Sequence, residues 1–341
     1  MTTAALPAPG EADDALMAFQ HRLCLTDKPD NRVPWPKPPG YDPDDFLLLQ
    51  RTMEAARNDT DFFTRLPPAS LASYGVPEEH RKYCLCCGIS VFSTDQPTLN
   101  KGWANASWER KQEIIADHTY FELGSFYYLS HDPKVPEAVR SKFSRYGLCR
   151  DEFAAFGHIP PQLYVRISNR MVGDFVLTQN NLARPQRKDD SIAVGDWSFD
   201  EHMTGKYAVD VGGGKWEVQL EGNFWPTITP TPGNRSDQRR ASNWYDLPFR
   251  AIVPKRGTGA NLLVPVALSA SAVAFSSTRI ENMYMSVGTA AGVAAAQIVG
   301  GRAGGAAAAA VQDVNVTAVQ QILVDVFRQR VHGPPGSSIG L

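Results

Sequence analysis

The densest group of chemistry-bearing side chains lies in the stretch GDWSFDEHMTG, which holds Asp196, Asp200, Glu201 and His202. A histidine among carboxylates can act as a general base, because its ordinary pKa of about 6.5 lets it take and return a proton near neutrality. The bland alternative is a surface loop with ordinary charges. Asp196 and Asp200 would also suit sugar-bond hydrolysis if their carboxylates stood ~5–9 Å apart. Arg166 and Arg170 in YVRISNR could hold an anionic substrate with their planar guanidinium forks, or pair with acids such as Asp151 or Asp174. Cys84, Cys86 and Cys87, with His80 four residues before the first, invite a metal reading. Yet C-x-C-C without a second pair matches neither the paired C-x2-C spacing of zinc sites nor iron–sulfur runs, so thiols without a metal are expected. His21, His118, His131, His158 and His332 show no ligand spacing, and His118 and His158 read as packed, hydrogen-bonded residues. The run from Gly288 to Ala296 predicts an alanine-rich helix opening at Gly288. A helix start offers unpaired N–H groups and partial positive charge, and small residues let a planar ligand come close. The competing reading is a small-residue helix packed against a sheet.

Several elements must carry these residues. The Pro34–Gly40 stretch holds four prolines and predicts an extended surface segment. Apolar spacing predicts helices from Asp44 to about Asn58, from Trp108 to Leu129 capped by Asn105 or Ser107, and from Pro136 to Gly147. Alternation over Leu163–Ser168 predicts a strand, and Gly212-Gly213-Gly214 between two alternating runs predicts a hairpin. Residues 226–243 read as a loop. Phe249–Val253 and Leu262–Val266 read as strands, the latter buried. A Gly/Ala link at 300–310, a last helix near Thr317–Arg330 and an unstructured tail complete the chain. The expected fold class is therefore α/β in the broad α+β sense.

Composition narrows the function. The formal net charge of −2 lacks the basic footprint of a general nucleic-acid binder. Hydrophobic residues at 43% against 21% charged suit a folded core. No apolar run approaches the ~20 residues of a bilayer span, and no secretory signal is visible. A cytoplasmic protein with no membrane partner is the expectation.

The segment PKRGTGANLLVPVALSASAVAFSSTRIENMYMSVGTAAGVAAA, residues 254–296, resembles the C-terminal flavin-binding signature of the FAD-dependent oxidoreductase family, within the glutathione-reductase-like flavoprotein superfamily. Segments at 19–43, 117–136, 146–179 and 245–256 resemble the same family in the same order, so the resemblance covers most of 19–326. It implies FAD as cofactor and hydride transfer between a small organic substrate and flavin N5. The cofactor residues it implies are Ser269, Ser271, Arg279, Glu281, Gly288, Thr289, Ala290, Ala291 and Gly292. The family's Asp-x-His element matches Asp200 and His202, which makes His202 the implied catalytic base, with Asp200 beside it and Arg166 steadying substrate or reduced flavin. Some relatives in the superfamily carry iron–sulfur clusters, but their cysteine runs are not in this sequence. The region 59–106 departs from the family's usual Asn-rich stretch.

The family's N-terminal strand, glycine turn and helix, which hold the ADP half of FAD, find no counterpart here: no G-x-G-x-x-G lies between a strand and a helix. The expectation is a C-terminal portion with an incomplete FAD/NAD(P)-binding-type fold. Its segments would be a proline-rich lead-in at 1–43, a helical and antiparallel-β substrate region at 44–248, the closing strand and helix of the flavin domain at 249–300, and a link, last helix and tail at 301–341. A separate chain could supply the missing half. The alternative function is a truncated or split non-catalytic fragment acting as a subunit or binding module.

Overall fold

A computed structural model describes residues 14–55, 69–85, 94–183, 187–222, 244–300 and 310–333. The readings for 226–243, for most of the Gly/Ala link and for the tail lie outside these residues. The chain divides into two compact units, Met1–Val165 with His202–Asn223 and Arg166–Glu201 with Phe224–Leu341. The expected substrate region 44–248 contributes to both. Among the described residues there are seven α-helices, and every named sheet is antiparallel.

In the first unit, β1 (Leu23–Thr26), β2 (Arg32–Val33), β3 (Ala69–Ser70), β4 (Lys82–Leu85) and β5 (Gly147–Cys149) form one sheet in the order β2-β5-β1-β4-β3. None of these strands shows alternation, because each is short and β1 and β5 are buried throughout. Gly147 admits its neighbour: a Cβ there would run into the Val33 carbonyl of β2. Helix α1 (Leu47–Ala55) follows a 3-10 turn at Pro43–Phe46, and α2 (Trp108–His131) starts where Ser107 Oγ accepts from Arg110 N at 3.3 Å. Helix α3 (Glu137–Arg145) packs on α2. Phe46, Phe126, Tyr128, Phe143 and Leu148 lie in the core between helices and sheet. The proline-rich segment is not wholly superficial. Its Trp35 is buried, stacks on Phe126 at 4.4 Å and donates Nε1–H to the Phe143 carbonyl at 3.0 Å. The expected strand at 163–168 is absent; only Tyr164 bridges, to Gln20. The hairpin forms as β7 (Gly205–Gly212) and β8 (Lys215–Glu221), and all three turn glycines take positive φ.

In the second unit, β6 (Ser191–Gly195) pairs with β9 (Tyr245–Pro248). Around them lie α4 (Gln179–Ala183), α5 (Ala272–Thr278), α6 (Glu281–Gly300) and α7 (Val316–Asp325). Two expected strands are corrected. Phe249–Ile252 is a 3-10 turn, and 262–266 is irregular with Leu262 and Val266 more than half exposed; its Val264 N donates to the Ile252 carbonyl at 2.9 Å, but no strand ladder forms there. The alanine-rich helix starts at Glu281 rather than Gly288. Met283, Val287, Ala290 and Ala294 form its buried stripe, so the apolar period begins five residues before the glycine. By length and composition α6 alone among the described helices could cross a membrane, with a mean hydropathy of 1.2. Its other face is apolar yet open: Met285 is 69% and Val299 88% exposed.

Candidate functional site

The first unit carries a run of buried polar pairs. The backbone around Phe19 is pinned twice: Gln96 N donates to the Phe19 carbonyl at 3.2 Å, and Ala18 N donates to the Met203 carbonyl at 2.9 Å. These bonds draw the 94–96 segment and the 202–206 segment to the same strand-like stretch. There Asp95 Oδ2 lies 2.6 Å from His202 Nδ1, with the side chains 1% and 4% exposed. Lys206 follows on β7, its Nζ 3.3 Å from Gln96 Oε1. Burial pushes the Lys206 ammonium down to about 8, and the Asp95 charge opposes that shift. Helix α2 adds His118 and Glu122, one turn apart. Glu122 Oε1 accepts from His21 N at 2.8 Å, and Oε2 lies 3.3 Å from His21 Nδ1. Burial raises the Glu122 carboxyl, with His21 opposing. His118 packs against Phe19 with ring centroids 6.3 Å apart. Among the described residues neither of its ring nitrogens finds a hydrogen-bond partner, which corrects half of the sequence expectation. Burial, with His21 nearby, lowers it to about 3, so it is neutral at physiological pH.

Asp200 and Glu201 belong to the second unit. Arg279 Nη2 donates to the Asp200 carbonyl at 2.9 Å and lies 3.2 Å from Asp200 Oδ2. Glu201 is buried and its carboxyl is raised by desolvation, which Arg170 and Arg279 oppose. Burial lowers Arg170, against the field of Glu201; its Nε donates to the Ala270 carbonyl at 2.9 Å. Its carboxylate neighbour is thus Glu201 rather than Asp151 or Asp174. Arg166 is buried too. Asp200 and His202 are therefore committed to different partners, Arg279 and Asp95. Asp196 lines a cavity of about 150 Å³ with Trp197, Tyr245, Ser277, Asn282 and Ser286. Tyr245 Oη and Ser277 Oγ are 2.7 Å apart, and Ser277 Oγ donates to the Trp197 carbonyl at 2.7 Å. This volume is below the ~300 Å³ at which ligand pockets begin, and the carboxylate pair expected of a glycosidase does not assemble around it.

The residues that the resemblance implies for the cofactor divide into supports and an open face. Ser269 Oγ donates to the Phe175 carbonyl at 2.6 Å and accepts from Gly173 N at 3.0 Å, tying down its own loop. Ser271 caps α5 by accepting from Ala274 N at 3.2 Å. Glu281 stands in the first turn of α6, where a negative charge suits the helix dipole. The N–H ends of α6 are engaged locally: Met283 N donates to Asn282 Oδ1 at 2.9 Å and to the Ile280 carbonyl at 3.0 Å. Gly288, Thr289, Ala290, Ala291 and Gly292 lie in the helix interior, which corrects the expected helix-terminus contact. Their amides are used by the helix ladder. Ala290 and Ala291 face the core, whereas Gly288 and Gly292 are exposed one turn apart. A Cβ built at either glycine meets nothing within 4 Å. The face thus fits a flat ring laid against it, but not an anion at a helix N-terminus.

Other features had no sequence signal. Asp95 was missed because nothing near it repeats or clusters, and its neighbours in space are distant in sequence. A polar cavity of about 470 Å³ is lined by Asn180, Asn181, Arg187, Lys188, Asp189 and Arg250, among others. Much of that lining is internally engaged: Arg250 pairs with Asp190 at 3.4 Å and lies 4.7 Å over the Phe175 ring. Cys84 sits in β4, while Cys86 and Cys87 lie outside the described residues. Among those described, no group of three His, Cys, Asp or Glu residues is arranged for a metal.

Comparison with known families gives one match, to the FAD dependent oxidoreductase model over residues 2–323. No curated protein and no solved structure matches the chain. The family match spans both units, and it includes the exposed glycines of α6, the Arg279 pair and the His202–Asp95 pair. The family implies a flavoprotein that uses FAD for redox chemistry. On that match, the chain belongs to the FAD-dependent oxidoreductase family.

Proposed function

We propose that this oxidoreductase moves a hydride between a small organic substrate and flavin N5, and that His202 handles the accompanying proton. The observation that supports this most is the 2.6 Å pair between His202 Nδ1 and Asp95 Oδ2. A carboxylate on Nδ1 fixes the imidazole tautomer and ring orientation. It also stabilises the cation formed when Nε2 accepts a proton from a substrate hydroxyl. FAD, when bound, supplies the hydride acceptor. On the protein side, the faces of Gly288 and Gly292 leave room for the flat ring. Arg279 holds the chain at Asp200, and Arg166 supplies positive charge toward an anionic substrate or reduced cofactor. Asp200 has the role of anchoring the stretch before His202 rather than that of a second base.

The test combines flavin loading with a His202→Asn change in the full chain. The expected result is FAD binding unchanged by fluorescence and flavin reduction by alcohol or sugar-like substrates slowed ~10²–10⁴-fold, the usual reach of a general base. A variant that reduces flavin as fast as the parent would remove His202 from the mechanism. A second reading, a subunit that works beside a chain supplying the adenine-binding half, is favoured by the exposed apolar run at Leu262 and Val266. Loading that succeeds only with such a partner present would select it.

A further inference from the structure

The first unit aligns three cysteines across three neighbouring strands. Cys24 of β1 stands directly opposite Cys84 of β4. On the other side, the register Leu25↔Leu148 and Thr26↔Gly147 brings Cys24 level with Cys149 of β5. The sulfurs of Cys24 and Cys149, 125 positions apart in sequence, lie 2.8 Å from each other. Neither is in a disulfide. Directly opposed residues on antiparallel strands have Cα atoms about 4.5–5.5 Å apart, within the range that a disulfide spans. Closing the bond therefore requires rotation of side chains rather than movement of strands.

We propose that Cys24 and Cys149 form an oxidisable thiol pair, closed to a disulfide by hydrogen peroxide. The hydrogen bond from Cys149 lowers the Cys24 thiol, and Lys82 adds to that shift. The same bond and burial raise Cys149. Cys24 also keeps some exposure while Cys149 is fully buried, so Cys24 is the nucleophile and Cys149 the resolving thiol. The Cys24 thiolate attacks one peroxide oxygen, the O–O bond breaks, and sulfenic acid and hydroxide form. Cys149 then attacks the Cys24 sulfur, the S–O bond breaks, and the leaving hydroxide takes the Cys149 proton. The sum is two thiols and one peroxide giving one disulfide and two waters, with the sulfurs oxidised and the peroxide reduced. Lys82 sits beside this chemistry on β4, held by Asp151 at 2.9 Å and Glu152 at 2.5 Å.

The experiment treats the full chain with hydrogen peroxide, denatures it, alkylates it and maps the peptides. The expected result is a fall in alkylated cysteines from five to three, with one linked peptide pair containing Cys24 and Cys149 that dithiothreitol separates. A Cys84→Ala variant should keep this link. A Cys149→Ser variant should lose it and accumulate a dimedone-trapped sulfenate at Cys24. The mapping of the parent chain stands even if a variant fails to fold. Recovery of both Cys24 and Cys149 in alkylated form, or a link from Cys24 to any other cysteine, would overturn the proposal.

Discussion

The two units give their buried charges different partners. The first places His202 with Asp95 and His21 with Glu122, and adds His118 and Lys206, in surroundings where desolvation is the largest influence on His118, Glu122 and Lys206. The second pairs Arg279 with an Asp200 side chain that keeps some contact with solvent, and gives its longest helix to glycine and alanine. Burial shifts these groups in the first unit, as it shifts Glu201 and Arg170 in the second. In the second, small side chains leave a helix face open. The proposed function draws on both: His202 as the proton acceptor, and the exposed glycines of α6 as the place for the ring.

The difference is broken or upheld most strongly by removing one carboxylate or one cation. Asp95→Ala takes away the acid facing His202 and Lys206 and leaves the Lys206 ammonium buried. Stripping one partner from a buried pair costs about 3–5 kcal/mol. Arg279→Ala leaves Asp200 with a solvent-accessible edge that water can satisfy, so about 1–3 kcal/mol is expected. Urea unfolding of both variants measures the ordering. Equal losses would show that the second unit is as desolvated as the first.

A smaller effect separates the units by pH. His118 binds a proton near pH 3 when folded and near 6.5 when unfolded. Between those values the unfolded chain holds a proton that the folded chain lacks, so stability falls as pH drops through the window. From pH 7 to pH 5 the loss is about 2 kcal/mol. The raised carboxyl of Glu122 acts in the opposite sense, since it favours the folded chain as pH falls toward its unfolded value of 4.5. Lys206 acts at the alkaline end. It sheds its proton near 8 when folded and near 10.5 when unfolded, so stability rises with pH between them. His118→Phe keeps a ring against Phe19 and should flatten the acid limb. An unchanged slope in urea melts at pH 7 and pH 5 would place the acid sensitivity elsewhere.

Sequence reading reached α1, α2, α3, α7 and the hairpin because each announces itself locally. Ser107 caps α2 as its position predicts, and three consecutive glycines close β7 on β8. It missed the five-stranded sheet because strands of two to four residues show no period, and only a partner such as Val33 beside Gly147 reveals the constraint. The site was legible in part. His202 stood out among carboxylates, yet the acid that touches it is Asp95, 107 positions away, rather than Asp200, two residues before it. Pairing across such a separation comes from backbone bonds at Phe19 and Met203, which leave no trace in local pattern. The glycines of α6 were visible as residues. Their place in the helix was not, because the stripe from Met283 to Val287 extends the apolar period toward the N-terminus.

The smallest expected effect tests the open face of α6. Glycine inside a helix costs roughly 0.5–1 kcal/mol relative to alanine, because it leaves more backbone freedom to lose. At Gly288 a new Cβ meets nothing within 4 Å, so Gly288→Ala should stabilise the FAD-free chain by about that amount, with no steric offset. The same methyl group would project from the face on which the ring is proposed to lie. The two readings of that face therefore part company in a single variant. If it is plain solvent-exposed helix, the melting temperature rises and FAD affinity, read by fluorescence titration, stays the same. If the ring rests on it, the melting temperature still rises while affinity falls about tenfold, which corresponds to ~1.4 kcal/mol of lost contact. The second outcome is expected. Gly292→Ala, one turn along on the same exposed face, should repeat the split, whereas a substitution at buried Ala290 would alter packing and could not separate stability from binding.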